Sequence, residues 1–112
     1  MARIFITGSA DGLGQLAVQS LIEQGHRVVL HARNKKRGDD AFKLNPNAEN
    51  VLIADLSSIQ ETIKLAQDLN ASGTFDAVIH NAGLYTASAK DIVIVNVLAP
   101  YILTSLINKP KR

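Results

Sequence analysis

Short apolar runs alternate along this chain with longer stretches in which apolar residues recur every three or four positions. The first run, Ile4-Phe5-Ile6, is β-branched and aromatic and predicts a strand buried on both faces. Gly8, Gly12 and Gly14 then interrupt the chain as Leu13, Leu16, Ala17 and Leu21 begin to mark a helix face. Gly25 supplies a left-handed helix end, and residues 26–32 predict a second strand. A basic, polar loop over 33–38 leads to a short helix near 39–43, which Asn45-Pro46-Asn47 breaks. Residues 51–54 predict a third strand, ended by Asp55. Ser58 and Glu61 have the spacing of a capping box, and Ile59, Ile63, Ala66 and Leu69 share one face of the helix they start. Gly73 closes that helix, residues 75–80 predict a fourth strand, and 91–107 a last helix apolar around nearly its whole circumference. Strands and helices in this rhythm imply an α/β fold with right-handed crossovers: one domain over 1–112 and a three-layer, doubly wound parallel sheet of about four strands, for which 3-2-1-4 is the expected order.

Composition narrows the picture. A chain of 112 residues with 46% hydrophobic and 20% charged residues has the balance of a folded globular domain and excludes a disordered class. The net charge of +2 is slight, and part of it sits in the terminal Lys109-Pro110-Lys111-Arg112, so nucleic acid is not expected as a partner. With no cysteine there is no disulfide framework, thiolate catalyst or cysteine metal site, and three scattered histidines predict no metal centre. The N-terminus enters a strand directly, without the pattern of a signal peptide. Residues 92–107 are apolar but short and carry Asn96, Pro100, Thr104 and Ser105, which predicts a core or interface helix and no membrane span. A cytoplasmic location is the expectation.

Candidate chemistry centres on Thr7-Gly8-Ser9-Ala10-Asp11-Gly12-Leu13-Gly14, a glycine turn between a strand and a helix. Glycine lets the backbone reverse, leaves room for a phosphate against bare amides and lets the helix pack close to its strand. Amides and the positive dipole at the helix start then suit a pyrophosphate. A tight strand-to-helix turn also needs glycine for structural reasons alone, and the spacing here is Gly-x-x-x-Gly-x-Gly.

Four segments together carry a family resemblance: T-G-S-A-D-G-L-G after strand one, D-L after strand three, N-A-G after strand four and V-N-V in the last helix. In order and placement they resemble the short-chain dehydrogenase/reductase family, over the first half of that family's usual length. The resemblance implies a single NAD(P)-binding Rossmann-type domain that ends before a fifth strand. It implies that Gly8, Ser9, Gly12, Leu13 and Gly14 line the pyrophosphate, with Thr7 bracing the turn. Asp55 and Leu56 would contact the adenine, and Asn81, Ala82 and Gly83 would pass along the cofactor ribose. Asn96 matches an asparagine of the family's catalytic tetrad; Pro100, lacking an amide hydrogen, cannot bond the Asn96 carbonyl in a regular helix. The serine and the tyrosine-x-x-x-lysine pair that the family uses for hydride transfer have no match. Tyr85 and Tyr101 are followed four residues later by Ala89 and Ser105.

Cofactor preference follows from charge. Selectivity for the unphosphorylated dinucleotide rests on an acidic residue at the end of the second strand, where this chain has His31-Ala32-Arg33-Asn34. The Arg33 guanidinium suits a 2′-phosphate, so NADP(H) is favoured over NAD(H), with a solvated basic loop as the structural alternative. The expected function is the NADP(H)-binding half of an oxidoreductase unable to turn over alone; the alternative is a standalone dinucleotide-binding regulatory or interaction module. A homo-oligomer through residues 91–107, the strand near 77–80, or both, is expected, because an apolar helix and an open sheet edge need cover.

Overall fold

The computed structural model describes residues 1–10, 12–83 and 88–107. Asp11, the Tyr85 segment and the basic tail, all weighed above, lie outside them. The order is β1 (Arg3–Ile6), α1 (Gly12–Glu23), β2 (Arg27–Ala32), α2 (Lys35–Leu44), β3 (Asn50–Ile53), α3 (Ile59–Ala71) and β4 (Ala77–Ile79). Then come α4 (Ala89–Val93), a π-helical turn (Ile94–Leu98) and α5 (Ala99–Leu106), which together make one 18-residue helix. The four strands form one parallel sheet in the order β3-β2-β1-β4, as the alternating pattern implied.

The central strands are buried on both faces, and their side chains divide the core in two. Ile4, Ile6, Val28 and Leu30 point to one side, with Val18 of α1 and Ala41 of α2. Phe5 and Val29 point to the other, with Leu65, Ala66 and Leu69 of α3 and Val95, Ala99 and Leu103 of the last helix. This period-two alternation places helices on both faces, which is the doubly wound arrangement. At the amino ends of the strands the Arg3 guanidinium bonds Glu49 at 2.6–3.1 Å and lies 4.3 Å from the Phe75 ring centroid.

Several local expectations need correction. The helix face of α1 turns Leu13 and Leu16 outward, 77% and 61% exposed, and buries Val18 instead. Gly14 is the reason: a Cβ there would run into the Gly8 carbonyl and lie 2.6 Å from Asn81 Nδ2, so this residue faces the sheet and fixes the rotation of the helix. α2 begins at Lys35, earlier than expected, because the Asn34 side chain accepts from the Arg37 amide at 2.9 Å and caps it. The basic loop is therefore the first turn of a helix. In α3 the buried face is Thr62, Leu65, Ala66 and Leu69, whereas Ile59 is exposed. Ser58 Oγ does accept from the Glu61 amide, but Glu61 Oε1 reaches back to the Asp55 amide, so half of the capping box ties the helix to the strand end. The break in regular α-helical bonding that Pro100 imposes on the Asn96 carbonyl coincides with the π turn, whose Ala99 amide reaches the Ile94 carbonyl. By length and composition the helix Ala89–Leu106 is also apolar enough to cross a membrane, although Val95, Ala99 and Leu103 lie in the core.

Candidate functional site

Parallel strands put their carboxyl ends on one edge, and there the structure gathers the residues after β1, β2, β3 and β4. Gly8 has φ +65°, and a Cβ on it would lie 2.8 Å from Ala82 Cα, so only glycine fits between the two loops. Thr7 is buried, and its Oγ1 accepts from the amides of Asn81 and Ala82 at 3.0 and 3.1 Å. The Asn81 amide group donates to the Gly8 carbonyl at 3.2 Å. Ser9 is buried beside β2, where its hydroxyl accepts from the His31 amide and donates to the His31 carbonyl at 2.7 and 3.2 Å.

The His31 ring is buried beneath this turn. Its Nδ1 accepts from the Gly8 amide and its Nε2 donates to the Ala54 carbonyl, each at 2.8 Å. Burial holds the imidazole below its ordinary pKa of 6.5, against opposing contributions from the Ala54 carbonyl and the Asp55 charge. The Asp55 carboxyl is held low chiefly by the Ser57 hydroxyl at 2.7 Å, with further help from the Ser57 amide and the charges of Arg33 and His31. Leu56 is buried in the core face that holds Phe5 and Val29. Arg33 is exposed, Asn34 caps α2, Gly83 is exposed, Leu13 points outward from the first turn of α1, and Asn96 lies exposed in the π turn.

A cleft of about 340 Å³ opens between the glycine turn and α2, lined by Ala10, Asn34, Lys36, Arg37 and Asp40. Lys36 and Arg37 enter this lining because α2 starts at Lys35; reading residues 33–38 as a loop hid them. The Asn34 cap was the available signal, since asparagine three residues before an amide it can bond is a helix-start pattern. So the structure joins Thr7, Gly8, Ser9, His31, Asn81 and Ala82 in one bonded network and sets a basic cleft beside it. Among the described residues no group of three metal-ligating side chains occurs.

A parallel sheet with a glycine turn packed under its neighbouring strand-end loops defines an α/β domain of the nucleotide-handling type. A family model for short chain dehydrogenases matches residues 2–109, and the chain belongs to the short-chain dehydrogenase family. It is 54% identical to an uncharacterized oxidoreductase of Emericella nidulans over 121 aligned residues, 99% of this chain and 48% of that protein. It is 52% identical to a short-chain dehydrogenase of Gibberella zeae, covering all of this chain and 46% of the relative. The chain thus spans about half the length of the curated relatives it matches. Among solved structures, the Pseudomonas aeruginosa RhlG/NADP active-site complex superposes with a TM-score of 0.81 at 28% identity, over 95% of this chain and 46% of that one. A metagenomic short-chain oxidoreductase in complex with NADP superposes at 0.78 with 26% identity, over 95% of this chain and 54% of that one.

Proposed function

We propose that this chain is the NADP(H)-binding half of a short-chain oxidoreductase. The observation that carries the reading is the cleft between Ala10 of the glycine turn and the basic start of α2, because its open space of about 340 Å³ lies beside Lys36 and Arg37, two cations against the one carboxylate of Asp40. Gly8, Ser9, Gly12, Leu13 and Gly14 form the pyrophosphate turn, with the Leu13 and Gly14 backbone at the start of α1, whose first turn holds no acidic side chain. Thr7, bonded to the Asn81 and Ala82 amides, braces that turn against the ribose-side loop ending at Gly83. Arg33, aided by Lys36 and Arg37, selects the 2′-phosphate, and Asn34 positions them by capping α2. Asp55 and Leu56 border the adenine, and His31 supports the turn from below. When bound, the dinucleotide supplies or accepts a hydride. Asn96 belongs to the proton-handling machinery, and turnover needs a catalytic serine with a Tyr-x-x-x-Lys pair, a spacing these 112 residues do not contain. The chain works as a homo-oligomer in the cytoplasm.

Calorimetric titration with NADP+ and NAD+ tests the reading. Tighter NADP+ binding is expected, and Arg33→Asp should reverse it by roughly tenfold or more, the worth of a charge-assisted hydrogen bond. Equal affinities would overturn the cofactor choice, and absence of binding by either would overturn the whole reading.

A further inference from the structure

The strand-end network contains a buried titratable side chain. His31, the next-to-last residue of β2, is buried, with the Phe5 ring packed edge-on at 6.4 Å between centroids. Its two ring nitrogens reach two different loops, Gly8 of the glycine turn and Ala54 before Asp55, both at 2.8 Å. The bonding fixes the tautomer. A backbone amide can only donate, so Nδ1 carries a lone pair toward Gly8. A carbonyl can only accept, so Nε2 carries the proton toward Ala54. A second proton would have to enter at Nδ1, where it would confront the Gly8 N–H, donor against donor.

We propose that His31 is a positioning residue for nucleotide binding: neutral, it ties the glycine turn to the Asp55 loop, and on taking up a proton it releases the turn, so that affinity is proton-linked. The proposal rests on the nucleotide reading above. Among the described residues the charged group acting on the ring is Asp55, on the loop after β3, and Arg33 beyond the end of β2 acts on Asp55 in turn. Among the described residues of β1 and the glycine turn, those in contact with His31 are Phe5, Gly8 and Ser9, none of them charged. Burial lowers the imidazole below 6.5, so the contribution of the tie to stability is complete above that pH and is lost as pH falls through the folded-state value.

The test compares wild type with His31→Asn, whose Oδ1 can still accept from the Gly8 amide but cannot titrate. NADP+ affinity is measured by calorimetry from pH 8 down through the pH at which the wild-type ring takes up its second proton, located by nitrogen-15 spectra. The 2′-phosphate of the ligand titrates in the same window but equally for both proteins, so the ratio of affinities isolates His31. The ratio should be flat near neutrality and then turn against wild type by about tenfold per pH unit below the His31 titration. Nitrogen-15 spectra of the wild-type ring and of the Gly8 amide need no variant that folds; they should show protonation at Nε2 and a Gly8 resonance that moves with His31. Parallel affinity profiles, or a neutral ring protonated at Nδ1, would overturn the proposal. Should NADP+ fail to bind at pH 8 while the ring and Gly8 still titrate together, the nucleotide reading falls and the tie to the turn stands.

Discussion

Two glycines with similar crowding make opposite predictions, and the difference lies in what a methyl group would strike. A Cβ on Gly14 meets the Gly8 carbonyl and the Ser9 Cα, both backbone and both held by the network around Thr7 and His31. Nothing there can give way without moving the turn, so Gly14→Ala should cost about 1–3 kcal/mol of stability, the usual range for overpacking. A Cβ on Gly38 lies 2.5 Å from Ile53 Cδ1, the far end of a side chain already 42% exposed, which can rotate aside. Alanine in place of this mid-helix glycine also recovers up to about 1 kcal/mol of helix propensity. Urea unfolding of Gly38→Ala should therefore stay within about 1 kcal/mol of wild type, offset by the two opposing effects. Equal losses for the two variants would mean that the glycine turn is less rigid than its hydrogen bonds imply.

At the level of elements, the start of α2 links folding to the proposed cofactor choice. Asn34 caps the helix that carries Lys36 and Arg37 into the cleft. Asn34→Ala should cost about 1 kcal/mol by losing the cap, whereas Asn34→Asp keeps a capping oxygen at a helix N-terminus and should hold stability. Its added negative charge beside the proposed 2′-phosphate site should nevertheless weaken NADP+ against NAD+ binding, which thermal unfolding and calorimetry together resolve. This helix also shows where sequence reading stops. The strands, the alternation with helices and the glycine turn were legible because β-branched runs such as Val28-Val29-Leu30 and the glycine spacing are local signals. The rotation of α1 was not, since it is set by Gly14 meeting residues from two other loops. Nor was the role of His31 beneath the turn, because both of its partners are backbone groups more than twenty residues away and leave no pattern in side-chain identity. The Asn34 cap is hard to see in the sequence because the turn that follows, Lys35-Lys36-Arg37, has no apolar residue to mark a helix face.

Across the whole molecule the unresolved balance is apolar surface. Val93, Val97 and Tyr101 recur every fourth position along the last helix and are 55%, 64% and 69% exposed, while the opposite side of that helix buries Val95, Ala99 and Leu103. The β4 edge of the sheet adds Ile79, 39% exposed. Covering such side chains is worth roughly 1.5–3 kcal/mol each, so three of them rival the lower end of the about 5–15 kcal/mol that holds a small domain together. A second copy meeting stripe to stripe would cover them by two-fold symmetry, with each chain supplying the same residues. Sedimentation at micromolar concentration should accordingly show a dimer or larger species, and Val93→Ser, Val97→Ser and Tyr101→Ser combined should shift it to monomer without unfolding, because none of the three lies in the core. The same helix meets the length and composition of a membrane span, so flotation with neutral phospholipid vesicles is the necessary companion measurement. A wild-type chain that is monomeric and rises with the vesicles would assign the stripe to a bilayer. One that is monomeric and stays below them would show that this surface is tolerated in water, and the argument from burial would fail.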